Sequence, residues 1–189
     1  MENKIVIVVP YIRNDEDFIE QQRKLLIKRA GVEVSVYPIK DTQGLGWIGI
    51  HNNMAKELDY DWYVYCADDY FPGRDYITKA LETAHKTKKR LIGFNDGKWD
   101  GKNATAGMIH KSLIPLMYGG PLLWPGYIHH GSDPDLTEKA IIMNEYAYSP
   151  EAILIEIDYN KDFIPSNKRL NKKDVELFLQ RRELRFPGV

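Results

Sequence analysis

Asp68 and Asp69 stand side by side at the end of an apolar run, in WYVYCADDYFPG at residues 62–73. Two adjacent carboxylates repel one another. A turn N–H, water or a divalent cation can relieve that. Oxygen ligands suit Mg²⁺ or Mn²⁺, which keep positions open for phosphate oxygens. Such an ion, bridging carboxylates and a diphosphate, would neutralise charge as the diphosphate leaves. The same pair can equally start a turn before Phe71-Pro72-Gly73, and the residues alone leave both readings open.

A second acidic string follows at residues 129–140, HHGSDPDLTEKA. Asp133 before Pro134 reads as a helix N-cap, and Ser132 with Asp135 comes close to a capping box. A helix start is also a rigid mount for a proton acceptor. His129 and His130 point opposite ways if the chain is extended there, so one metal would not bind both. Either they are solvated loop residues or one, His130, touches a substrate. Trp99, Trp124 and Tyr127 fall in irregular segments, where an aromatic ring stacks on a sugar face or plugs the core.

Elements must place these groups. KIVIVVP at residues 4–10 is a β-branched run and predicts a strand buried on both faces. Residues 14–31 predict a helix with Phe18, Gln22, Leu25, Leu26 and Arg29 at helical spacing, capped by Asn14 or Asp15 and closed at Gly31. Strands are expected at 32–39, 61–67 and 90–95, with helices at 50–58 and 74–89. The Gly-rich loop at 41–49 lacks the spacing of a Walker or Rossmann fingerprint. Alternation of this kind predicts an α/β fold, with a mostly parallel sheet flanked by helices and right-handed crossovers. Ligands of such sheets bind beyond the carboxyl ends of the strands. Asp41, Asp68, Asp69, Asn95 and Asp96 all fall just past such ends. The second half is less regular: a strand and short helix within 104–120, a helix at 133–143, a late strand at 152–158, and a terminal helix at 171–184 with Val175, Phe178, Leu179 and Arg182 on one side.

With 189 residues, 43% hydrophobic and 28% charged, the composition is that of an ordinary globular chain. The expected division is a catalytic and binding domain over residues 1–159 and a basic helical extension over 160–189. That extension holds eight Lys/Arg against four Asp/Glu, while the whole chain has a net charge of −1. The overall charge argues against a nucleic-acid partner. The one cysteine, Cys66, excludes an intrachain disulfide or a cysteine-based zinc site and reads as core. No run suits a signal peptide or a transmembrane segment, so the expected location is cytoplasmic. Nothing in the sequence marks an oligomeric state.

Taken together, IVIVVPYIRN, VEVSVYPIKD, QGLGWIGIHNNMA and WYVYCADDYFP resemble the GT-A glycosyltransferases, in particular family 2-like nucleotide-sugar transferases. The likeness covers roughly residues 4–157. It implies a single-domain GT-A-like fold and a metal-dependent, inverting transfer of a sugar from a nucleoside-diphosphate sugar to a hydroxyl acceptor such as a glycan. Aligned on Pro72, the family's Asp-x-Asp motif falls on Ala67-Asp68-Asp69, so its first carboxylate is an alanine here. The resemblance implies Asp69 as the direct ligand of Mn²⁺ or Mg²⁺, with Asp68 assisting. It places the nucleotide at Pro10, Tyr11, Arg13, Asp41, Asn52 and Asp68. Tyr11 would stack on the base or edge the ribose, Arg13 would meet a phosphate, and Asp41 would accept from a pyrimidine N–H, which favours a UDP-sugar. HHGSDPDLTEKA resembles the family's second acidic motif, with Ser132 in place of a glutamate and Asp133 as the base. Trp99, Trp124, His130 and Asp135 fall on the implied acceptor side. Asp158 or Asn160 would take the place of a late metal-binding histidine. Two rivals stand beside this reading. A nucleotidyltransferase would need a Gly-rich basic signature near the first strand, where PYIRNDED is acidic. A non-catalytic nucleotide-sugar or glycan binder would suit Ala67 and Ser132.

Overall fold

The computed structural model describes residues 3–157 and 171–188. The elements are β1 (Ile5–Tyr11), α1 (Glu16–Lys28), β2 (Ser35–Lys40), α2 (Gly46–Glu57), β3 (Trp62–Tyr65), β4 (Tyr70–Pro72), α3 (Tyr76–Thr87), β5 (Leu91–Asn95), β6 (Gly107–His110), α4 (Ile114–Tyr118), α5 (Ser132–Ile142), β7 (Tyr146–Glu156) and α6 (Lys172–Glu183). The strands form one sheet in the order β2-β1-β3-β6-β5-β7-β4.

Burial on both faces explains the β-branched run of β1. Ile5, Ile7 and Val9 join the core beneath α1 and α3, while Val6 and Val8 join the core beneath α2, α4 and α5. Asp15 caps α1 by accepting from the Phe18 N–H at 3.0 Å, and the buried face of that helix is Ile19, Gln22 and Leu26. Gly31 follows with φ +79°. A Cβ there would lie 2.4 Å from the Thr78 hydroxyl, so both the conformation and the space demand glycine.

The sheet is mixed rather than mostly parallel. β1 pairs in parallel with β2 and β3, and β5 with β7, but β3–β6, β5–β6 and β4–β7 are antiparallel. The cause is the connection after β5. Residues 96–106 contain no crossover helix, so the chain turns back at the edge where β5 ends and β6 must run the other way. β4 follows β3 after a short turn yet pairs with β7 at the far side of the sheet. As a result the ends of β1, β2, β3, β5 and β7, the segment 96–106 and the start of α5 share one edge.

In α6 the buried residues are Asp174 and Arg181, with Leu177 and Phe178 packed on the core and Leu179 half exposed. Of the face expected on Val175, Phe178, Leu179 and Arg182, Phe178 packs inward and Val175 is half-buried, while Leu179 and Arg182 are exposed, so the inward face is rotated toward Asp174, Leu177 and Arg181. None of the helices among the described residues is long and apolar enough to cross a membrane.

Candidate active site

Asp68 and Asp69 occupy the turn between β3 and β4, with the Tyr70 N–H donating to the Ala67 carbonyl at 3.4 Å. The turn reading of the pair is correct, and the turn sits on the carboxyl edge. Asp69 is 9% exposed. Its carbonyl accepts from the Ile157 N–H at 2.8 Å, while the Glu156 N–H donates to the Asp96 carbonyl at 3.2 Å. The end of β7 thus ties the β3–β4 turn to the end of β5. The Asp68 carboxylate is ion-paired with the Arg13 guanidinium, which stacks 4.3 Å over the Phe18 ring.

Asp96 is buried. It accepts from the backbone N–H groups of Lys98 (2.8 Å) and Trp99 (3.0 Å) and from the Thr105 hydroxyl (2.6 Å). Asp133 enters from the first turn of α5. It does not cap that helix: Gly131 holds the N-cap position at φ 99°, without a side-chain cap. Instead the Asp133 carboxylate accepts from the Asn103 amide at 2.7 Å. Burial pushes its pKa up to about 6 against that hydrogen bond, and Glu156 and Asp96 push the same way. Burial raises the Tyr70 hydroxyl well above its usual range, and Glu156, Asp69 and Asp133 all add to that shift. Burial likewise raises the Cys66 thiol, with Asp69 and Asp68 adding to it. Carboxylates from β3–β4, β5, α5 and β7 therefore share one electrostatic neighbourhood, with Lys98 lying 3.5 Å from Glu156.

No protein-family model matches the sequence, and no curated protein does so at a significant level. Solved structures do match. A mannosyltransferase from Pyrobaculum calidifontis, in complex with GDP-Man and Mn²⁺, superposes with a TM-score of 0.60 at 14% identity, over 82% of this chain and 57% of that one. S. aureus TarS gives 0.61 at 13% identity, over 95% and 43%. Glucosyl-3-phosphoglycerate synthase from Mycobacterium tuberculosis, with Mg²⁺ and UDP, gives 0.60 at 9% identity, over 97% and 79%. The fold is GT-A-like. The chain spans about half the length of the first two of these proteins.

Within the GT-A-like frame, the other residues singled out from sequence fall into two groups. Some stay at the rim. Tyr11 is largely buried beside it and donates to Glu16 at 2.9 Å, with Lys40 bonded to the same carboxylate at 2.8 Å. Pro10 pairs with Ile39 inside the sheet. Trp99, three residues after Asp96, is 48% exposed. Others are committed elsewhere. Asp41 accepts from the N–H groups of Leu45 (2.9 Å) and Gly46 (2.7 Å), which lowers its pKa and holds the loop that starts α2. Asn52 makes a two-point amide contact with the Leu123 backbone, at 3.0 and 2.8 Å. Trp124 lies under the Arg181 guanidinium at 3.6 Å. Asp135 is fully buried and accepts from Tyr118 (2.7 Å), Tyr127 (2.9 Å) and Arg181 (2.5 Å), so it offers no contact to a ligand at the rim. His130 packs edge-on against His129, and both backbone N–H groups donate to the Asp174 carboxylate at 2.8 Å. Asp158 and Asn160 lie outside the described residues.

Asn103, Thr105 and Glu156 join the site without a sequence signal of their own. Only the loop after β5 and the tail of the late strand hinted at them. His51, on α2, is a further buried group. It bonds the Tyr63 hydroxyl at 2.9 Å and the Cys66 carbonyl at 3.1 Å, and burial lowers its pKa to about 3.

Among the described residues, no three His, Cys, Asp or Glu side chains come together as a metal cage. Mg²⁺ and Mn²⁺ do not need one. They are commonly held by one or two carboxylates, with substrate phosphates and water completing the shell. The Asp68–Asp69 turn, inside an excess of negative charge, fits an ion of that kind.

Proposed function

We propose that this chain transfers a sugar from a nucleoside-diphosphate sugar to a hydroxyl acceptor, with inversion at the anomeric carbon. The observation that carries the proposal is the convergence of Asp69 and Asp133 on one edge of a GT-A-like sheet, from the β3–β4 turn and the α5 start. Asp69, with Asp68 beside it, would hold the divalent cation. When bound, the cation would offset charge gathering on the leaving diphosphate. Arg13, fixed by Asp68 and Phe18, is preset at the donor side. Asp133 takes the proton from the acceptor hydroxyl as its oxygen attacks the anomeric carbon. The bond from that carbon to the diphosphate breaks, and the electron pair leaves with the diphosphate. A carboxylate with a pKa near 6 is ionised at neutral pH and still a competent base. Trp99 offers an exposed ring to the acceptor. The three structures named above carry GDP-Man with Mn²⁺, UDP with Mg²⁺, or no named ligand, so UDP- and GDP-sugars are the first donors to try.

The test is release of nucleoside diphosphate from UDP- and GDP-sugars, with Mn²⁺ and a panel of hydroxyl acceptors, by wild type and Asp133→Asn. Turnover by wild type that is lost in the variant supports the proposal. Tight binding of a nucleotide sugar by wild type, with no turnover on any acceptor or water, would point to the binding protein instead.

A further inference from the structure

We propose that Asn103 is the positioning residue for Asp133: its amide holds carboxylate Oδ2 and so sets the direction in which the group meets the acceptor hydroxyl. This rests on the reading of Asp133 as the base. Asn103 belongs to the segment that turns back between β5 and β6, and Asp133 to α5, so nothing in the local chain forces the two together. The Asn103 Nδ2 donates to Asp133 Oδ2 at 2.7 Å. Thr137, one helical turn beyond Asp133, fixes that meeting point. Its hydroxyl accepts from the Ala104 N–H at 3.0 Å and donates to the Asp133 carbonyl at 2.7 Å, with Asn103 Oδ1 at 3.4 Å. Ala104 and Thr137 are fully buried. The backbone on either side of the contact is therefore clamped, and the amide is held with its N–H toward the carboxylate.

Other groups around Asp133 do not do this. Asp96 at the end of β5 and Glu156 on β7 are like charges. Lys98 is engaged beside Glu156. Tyr65 on β3 donates to the Ala104 carbonyl at 3.2 Å, and Tyr70 on β4 is buried with Thr105 as a partner. The Asn103 hydrogen bond favours the ionised carboxylate against burial and those neighbours more than any other contact, with Asp133's own backbone N–H adding to it. A base held by a neutral donor keeps a fixed direction without losing its affinity for a proton, as a full counter-charge would cause.

The experiment follows the Asp133 carboxyl in the ligand-free protein by ¹³C NMR of labelled aspartate, assigned by its disappearance in Asp133→Asn. It compares wild type with Asn103→Ala and Asn103→Asp. In Asn103→Ala the midpoint should rise by about one pH unit, the scale of one charge-assisted hydrogen bond. In Asn103→Asp, which replaces the donor with a like charge, it should rise further. Turnover at pH 7 should fall roughly tenfold to a hundredfold, the acid limb of kcat should move with the NMR midpoint, and Mn²⁺-dependent UDP binding should be unchanged. An unmoved midpoint in both folded variants, or lost turnover with no displaced limb, would reduce Asn103 to a loop tie and overturn the proposal. Retained turnover in Asp133→Asn would instead remove the base reading, and the NMR midpoints would separate that failure from this one.

Discussion

Asp133 is a carboxylate asked to be ionised while half-buried among like charges. If it is the base, sugar transfer should rise with pH through about 6, because the proton must be off before it can accept another. Asp133→Asn should leave nucleotide binding intact and lower kcat by about a hundredfold or more, read from a pH–rate series and calorimetry on the same preparations. Its residue type and place in the chain were legible from HHGSDPDLTEKA. Its direction was not. Local pattern fitted a cap as well as a base, because Pro suits the first helical position and Asp the one before it. The partner that turns it outward, Asn103, lies in GKNATAG, which reads only as a turn. Asp69 was easier to place, since the end of an apolar strand of a doubly covered sheet puts the next polar residues on its ligand edge.

At the scale of elements, α5 and α6 are joined by a buried ion pair. The side chains of Asp135 and Arg181 are 0% and 5% exposed, and Tyr118 and Tyr127 complete the carboxylate's hydrogen bonds. Removing one partner strands the other charge in the core. Asp135→Asn should therefore cost about 3–5 kcal/mol of unfolding free energy in urea, and a double replacement by apolar residues of similar volume should recover only part of it, because the Tyr118 and Tyr127 hydroxyls lose their acceptor. Full stability in Asp135→Asn would show that the pair is not a structural tie. Spacing alone could not reveal this. Asp135 and Arg181 are distant in sequence, and an acid in a family-like motif invites a ligand role. Strand direction was hidden for a similar reason. β1, β3 and β5 announce themselves by apolar runs, but β6 reverses because of a loop that stays on one edge, and β4 has three residues, too few for any periodicity.

Across the whole molecule, His51 and Asp133 pull stability in opposite directions with pH. His51 has its folded pKa lowered from 6.5 to about 3, so its contribution is complete above 6.5 and is lost as pH falls toward 3. Asp133 has its folded pKa raised from 3.8 to about 6, so the protonated form favours folding and that advantage is lost as pH rises from 3.8 to 6. Each slope is at most about 1.4 kcal/mol per pH unit, and between 3.8 and about 6 they offset one another. Asp133→Asn should uncover the histidine slope: its stability should drop faster than that of wild type on acidification through this window, in urea melts taken at each pH. Parallel curves would contradict one of the two assignments.

The proposed function rests on the sheet edge rather than on any one residue, and centres on a divalent cation that Asp69 would hold against a nucleoside diphosphate. Isothermal titration of wild type and Asp69→Asn with UDP and GDP, in Mn²⁺ and in chelator, tests this most directly. The account predicts that one of the nucleotides binds wild type at least about tenfold more tightly with Mn²⁺, a difference of about 1.4 kcal/mol, and that folded Asp69→Asn loses this gain. Nucleotide binding that ignores both Mn²⁺ and the substitution, or no binding of either nucleotide, would contradict it.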